Sequence, residues 1–203
     1  RQRQMCIRDR KYNPKWGMGD IIIKDRTGEG VINDEDRTVI GNSIPRFTFG
    51  LNLGFEYKGF DFSCFFQGVG KADGYVTMEA IQPMGINGAR KEHYKESFNP
   101  QDPKPGAYFP RILSSDYNYA YMSHWVQDAS YIRLKNLQIG YSFKIKGLNQ
   151  LRVYASGENL FTATKYRTWD PETPVGARGF YPNVAVYSMG VNPVSYTHLT
   201  LPT

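Results

Sequence analysis

Cysteine and histidine are scarce, two and three of 203 residues. Cys6 and His198 lie in terminal segments that read as foreign, which leaves Cys64, His93 and His124. One cysteine makes no intrachain disulfide, and no CxxC or Cys/His spacing suited to zinc remains. No apolar run approaches the roughly eighteen residues of a membrane-spanning helix. That leaves open a membrane β-barrel, whose alternating strands escape hydropathy scans. GxSxG, phosphate-loop and dinucleotide fingerprints are missing, so no enzyme is expected and no catalytic residue is assigned. Clustered positive charge is missing too. Of the formal +6, four arginines and one aspartate sit in residues 1–10. The remainder is spread along the chain rather than gathered in a basic stripe, so no nucleic-acid partner is expected.

The two ends explain each other. Arg1–Arg10, RQRQMCIRDR, can be encoded so that the complementary strand translates as PVSYTHLTLP, which is Pro193–Pro202. Protein termini have no physical reason to be reverse complements, whereas an oligonucleotide joined to both ends of a DNA fragment does. Residues 1–10 and 193–203 are therefore expected to be translated adapter, and 11–192 native sequence.

What is abundant is alternation. In RFTFGLNLGFEYKGFDFSCFFQGVG, Phe47, Phe49, Leu51, Leu53, Phe55 and Tyr57 alternate with Thr48, Gly50, Asn52, Gly54 and Glu56. A sustained period of two reads as β-strand. After a tight turn at 57–59 the pattern resumes with Phe60, Phe62, Cys64 and Phe66 against Asp61, Ser63 and Gln67, with Phe65 an aromatic on the polar face. A second hairpin sets Leu137, Ile139, Tyr141 and Phe143 on one face, turns at 144–150, and returns through Leu151, Val153 and Ala155. A last strand alternates Ala185, Tyr187, Met189 and Val191 with Ser188, Gly190 and Asn192.

Short connections at 57–59 and 144–150 contrast with long ones at about 71–129 and 162–183. Outer-membrane barrels pair short periplasmic turns with long extracellular loops, and Tyr57, Phe60, Tyr141 and Phe143 stand near the turns, where an aromatic girdle belongs. The fold expected is all-β, an antiparallel transmembrane barrel wall with Phe47, Phe49, Leu51, Leu53, Phe60, Phe62, Leu137, Ile139 and Tyr141 facing lipid. A soluble β-sandwich is the alternative. On the barrel reading 17–45, 71–129 and 162–183 are extracellular. Their aromatics, Tyr108, Phe109, Tyr117, Tyr119, Tyr121, Trp125, Tyr166, Trp169, Phe180 and Tyr181, suit glycan or peptide capture and suit loop packing equally. His93 and His124 have no second ligand at useful spacing, and Asp170 and Glu172 in DPETP read as turn formers.

The sharpest local motif is DRTGEGVINDED. A calcium loop takes oxygen ligands at its first, third, fifth, seventh, ninth and twelfth positions and glycine at the sixth. Here these fall on Asp25, Thr27, Glu29, the Val31 carbonyl, Asn33 and Asp36, with Gly30 sixth. Thr27, Glu29 and Asp36 depart from the usual ligands, and the same residues also suit a Gly/Asp-rich turn. Calcium is the cofactor this spacing allows; none is required.

DRTVIGNSIPRFTFGLNLGFEYKGFDFSCFFQG, HWVQDASYIRLKNLQIGYSF and LRVYASGENLFTATKYRTWDPE resemble, in that order, the C-terminal region of SusC/RagA-family TonB-linked outer-membrane proteins, over residues 14–192. The resemblance implies the C-terminal part of a large antiparallel barrel in the outer membrane of Bacteroidota, about five strands of an implied 22. It implies import of oligosaccharides or peptides, energised through TonB by way of a missing N-terminal part, with a SusD-like surface lipoprotein as partner. A degenerate calcium loop recurs in this region of the family. The rival readings are a non-transporting surface adhesin or carbohydrate-binding β-module, and a passive porin; an upstream plug separates both from an active importer. The substrate-binding residues are not assigned.

Overall fold

The computed structural model describes residues 16–76, 78–83, 89–103, 105–112, 116–146, 148–167, 169–173, 181 and 183–194. Residues 1–10, and Phe180 among the loop aromatics, lie outside them. So do 195–203 of the second terminal segment, whose Pro193 and Val194 continue a strand. The chain divides into two compact units, one of residues 43–73, 128–173 and 180–203, the other of 1–42, 74–127 and 174–179.

The first of these is a five-stranded antiparallel sheet in the order β1 (Phe47–Tyr57), β2 (Phe60–Gly70), β5 (Tyr131–Ile145), β6 (Leu148–Thr164) and β7 (Val186–Val194). Two short strands, β3 (Asp73–Tyr75) and β4 (Val126–Asp128), pair separately. The β1–β2 connection is a two-residue turn, Lys58 (φ 48°) and Gly59 (φ 86°). Two positive φ values give the turn whose twist matches that of the strands. Gly59 lies tight against β5, its carbonyl accepting from Ser142 N–H at 2.7 Å.

The register places the alternating apolar residues on one face. Leu53 pairs with Cys64 and Cys64 with Leu137; Ile139 pairs with Ala155 and Ala155 with Met189. That face is uncovered within this unit: Phe49, Leu51, Leu53 and Phe55 are each about half exposed, and Met189 is 90 % exposed. A sandwich would bury these side chains against a second sheet. The other face carries Asp61, Ser63, Gln67, Asn136, Gln138, Arg152 and Ser156. Phe65 is accommodated there beside Gly50, where any Cβ would come within 3.1 Å of its ring. An all-β barrel segment with an apolar outer face is thus the architecture present.

Two boundaries differ from the sequence reading. β5 runs to Ile145 and β6 begins at Leu148, so the second tight connection is far shorter than 144–150. β6 also continues to Thr164, which moves the start of the following loop past 162. β5 also contains a phase slip. Lys135 is an extra residue opposite β2, falling between the pairs Phe65–Asn136 and Phe66–Leu134, whereas on the β6 side Asn159 and Leu160 stand opposite Lys135. The bulge leaves Lys135 out of the ladder, with pairing resuming on both sides of it, and reverses the alternation along β5.

The other unit holds the buried core. Trp125, Tyr119, Val76, Ala80 and Ile81 are almost fully enclosed, with Phe98 and Trp16 close behind. Its regular structure is slight: short helices Met78–Ile81 and Lys91–Glu96, and 3-10 turns at Asp34–Asp36, Asp116–Tyr119 and Ser123–Trp125.

Candidate functional site

Within this second unit a buried carboxylate organises the loops. Asp20 accepts two hydrogen bonds from the Arg111 guanidinium, both at 2.6 Å, one from Asn118 Nδ2 at 2.9 Å and one from Gly17 N–H at 2.9 Å. Asn118 accepts from Ile21 N–H through its side chain, and its carbonyl accepts from Trp125 Nε1 at 2.9 Å. A chain of hydrogen bonds therefore runs from residue 17 to the central tryptophan. Burial pushes the Asp20 carboxyl up, but the hydrogen bonds from Arg111, Asn118 and Gly17 and the Arg111 charge outweigh it, holding it below the usual range.

Around Trp125 the loop aromatics pack on one another. Tyr108, Phe109, Tyr119 and His124 all contact its ring, with centroid separations between 4.6 and 6.3 Å. For Tyr119 and Trp125, both buried, loop packing is the role observed. Tyr121 differs: it is 85 % exposed and stacks on Tyr75. His93 is enclosed, its Nδ1 accepting from Arg90 N–H and its Nε2 lying 3.0 Å from the Ala80 carbonyl. Since Nδ1 accepts, the proton sits on Nε2, and burial holds this imidazole below its ordinary pKa.

The acidic loop closes tightly. Asp25 accepts from Gly28 and Gly30 N–H at 2.6 and 2.8 Å. Asp36 accepts from Arg26, Thr27 and Asn33 N–H at 2.6, 3.1 and 3.1 Å. Those bonds, Arg26 first and Asn33 next, lower the Asp36 pKa. Gly28 and Gly30 both take φ above 80°, which suits glycine and is what the sixth loop position requires. Thr27 Oγ1 lies 3.3 Å from Asp25 Oδ1 and 3.5 Å from Asp36 Oδ1. Glu29 and Asn33 face each other at 3.4 Å, while Asn33 Oδ1 caps Glu35 N–H and the Val31 side chain is exposed. Among the described residues no group of three or more His, Cys, Asp and Glu is arranged to hold a metal. Beside this loop lies a cavity of about 1120 Å³ walled by Ile22, Ile32, Ile40 and Met122, with Arg26 and Tyr121 also lining it.

The sheet carries a cluster that sequence reasoning missed. Arg133 on β5 is 2 % exposed and binds both Asp170 and Glu172 at 2.7–2.8 Å. Asp170 and Glu172, read as turn formers, do form a turn: Asp170 accepts from the Glu172 and Thr173 N–H groups. They are ion-pair partners as well. The available signal was an arginine at an alternate position of a strand, too common to single out.

No family model matches the chain. It is 34 % identical over 198 residues to TonB-dependent receptor P3 of Formosa agariphila, covering 86 % of this chain and 19 % of that protein. To TonB-dependent receptor SusC of Bacteroides thetaiotaomicron it is 27 % identical over 182 residues, covering 84 % and 17 %. The chain thus spans about a fifth of the length of these relatives. Its fold matches the RagAB peptide importer in the closed-closed state with a TM-score of 0.60 and 23 % identity, over 76 % of this chain and 18 % of that one.

Proposed function

This chain belongs to the SusC/RagA family of TonB-dependent receptors, and on that premise we propose that it forms wall and mouth of an outer-membrane importer of oligopeptides or oligosaccharides. The observation that carries the reading is the two-faced sheet. One face offers half-exposed Phe, Leu and Ile side chains suited to lipid; the other offers amides, hydroxyls and an ion pair suited to a hydrated passage. Energy would come through TonB, and a SusD-like lipoprotein would close over the loops. RagAB is described as a peptide importer, which supports oligopeptides as the first class to try. The native boundaries proposed remain 11 and 192.

The test is uptake by cells carrying the intact receptor as their sole member of the family, with and without functional TonB. Labelled oligopeptides and oligosaccharides are supplied in parallel. One class should accumulate inside, and accumulation should cease without TonB. Surface binding with no uptake of either class would instead favour the adhesin or carbohydrate-binding module.

We further propose that calcium occupies the acidic loop, held by Asp25, Thr27 and Asp36 with Glu29, the Val31 carbonyl and Asn33 completing an all-oxygen set. The ion would cross-link the loop, a structural role. Millimolar calcium, about the range of extracellular calcium modules, should slow amide exchange across 25–36 relative to magnesium. Unchanged exchange would rule this out.

A further inference from the structure

We infer that Arg133 is a positioning residue that fastens residues 169–173 onto the polar face of the sheet as a fixed rim of the passage; the word passage rests on the importer reading, the fastening does not. An arginine is rarely enclosed unless every side of its guanidinium is matched. Here Nε donates to Thr162 Oγ1 on β6 at 2.8 Å, Nη1 to Glu172 at 2.8 Å, and Nη2 to both oxygens of Asp170 at 2.7 and 2.8 Å. The Tyr131 ring lies 5.7 Å from the guanidinium carbon. Strand and loop thus each supply part of one closed coordination.

Glu172 is the second node. It accepts from the Tyr131 hydroxyl at 3.0 Å and from Lys135 at 2.7 Å. It also accepts from Asn183 Nδ2 at 2.7 Å, close before β7. Lys135 reaches it because the β5 bulge adds a residue there. Two cations face two carboxylates, so the cluster is locally neutral while the pair stands, and lifting the loop would leave Arg133 without either carboxylate, with Thr162 as its remaining side-chain acceptor. The turn that Asp170 makes with Glu172 and Thr173 prepares both carboxylates for one guanidinium.

The experiment uses the intact receptor in outer-membrane vesicles, with Thr173→Cys as its single cysteine and a membrane-impermeant maleimide as probe. Labelling should be slow in the parent. Arg133→Gln, and separately the loop-side pair Asp170→Asn with Glu172→Gln, should each speed it by about tenfold or more, as local opening becomes accessible. Arg133→Lys should fall between, because an ammonium cannot engage three partners in a fork. Labelling within about twofold of the parent in both the strand-side and the loop-side variants would overturn the inference. Should Arg133→Gln fail to assemble, the loop-side pair decides. In uptake, release of a rim should raise the half-saturating substrate concentration with the maximal rate kept; an unchanged half-saturating concentration despite fast labelling would remove the rim role. Labelling needs no substrate, so it is read independently of whether the parent imports anything.

Discussion

Asp20 illustrates how a single carboxylate decides the shape of a loop. It gathers Arg111, Asn118 and Gly17 about one buried point. Removing one partner of such a pair leaves the other unmatched, so Asp20→Asn should lower the local opening free energy by about 3 kcal/mol. Hydrogen exchange of the 111–125 backbone in the intact receptor reads this directly. The pH dependence follows from the signs. Asp20 has a folded pKa below 3.8, so its contribution is complete above that value and fades as pH falls beneath it. His93 has a folded pKa below 6.5, so the unfolded form takes up its proton first and acid begins to destabilise the 91–98 segment below that pH. Protection there should decline in two stages on acidification, and His93→Gln should remove the upper one. At this scale little was legible beforehand. His93, Asp170 and Glu172 are ordinary letters in polar surroundings, and their partners include residues 13 positions away for His93 and 37 to 41 away for the two carboxylates. The acidic loop was legible, because its spacing is local and Gly30 marks the turn.

Among the elements, alternation was an accurate guide to which face each strand shows. Phe47, Phe49, Leu51, Leu53, Phe55 and Tyr57, and Leu137, Ile139, Tyr141 and Phe143, lie on the apolar side as their period requires. It failed only where the phase slips. Ile132 and Leu134 share a face with Leu137 and Ile139 because Lys135 bulges, and a strict period of two cannot see that. β6 has no such slip: Ala155, Gly157, Phe161 and Ala163 keep one face, with Asn159 and Leu160 together opposite Lys135. The faces make opposite predictions for the same change. Leu53→Arg places a charge on the outer face and should cost about 2–4 kcal/mol near mid-membrane, seen as a severe drop of receptor in the outer-membrane fraction. Gln138→Arg, on the polar face, should leave that yield nearly unchanged. Equal yields would remove the distinction between lipid and passage. Gly140 marks the polar face in another way: Asp61 and Arg152 bridge across it, and a Cβ there would fall 2.5 Å from the Asp61 carboxylate. Gly140→Ala should therefore separate the pair, which a double-mutant cycle with Arg152→Gln would detect as lost coupling.

Among the described residues the usual arrangement is inverted, since the loops contain the enclosed Trp125 and Tyr119 while the buried apolar side chains on the five-stranded sheet are Cys64 and Tyr131. A membrane wall explains this, because lipid takes the place of a second layer. Sequence periodicity and loop lengths were enough to reach that architecture, while substrate identity was beyond them, depending on loop shape and on chains outside this one. Expressed alone, residues 11–192 should aggregate, since β1 and β7 each present an unpaired edge and five strands close nothing. Size-exclusion chromatography showing a soluble, cooperatively unfolding monomer would contradict that. The central claim, that these strands are a segment of a larger receptor barrel, is tested most directly by sequencing the encoding genomic locus across both junctions without the suspect adapter. Alternating strands, a plug and a TonB-contacting segment are expected upstream of Lys11, with an aromatic-terminated strand continuing past Asn192. Genomic codons for MCIRDR and VSYTHLTLPT at those positions, with no further strands, would contradict the claim.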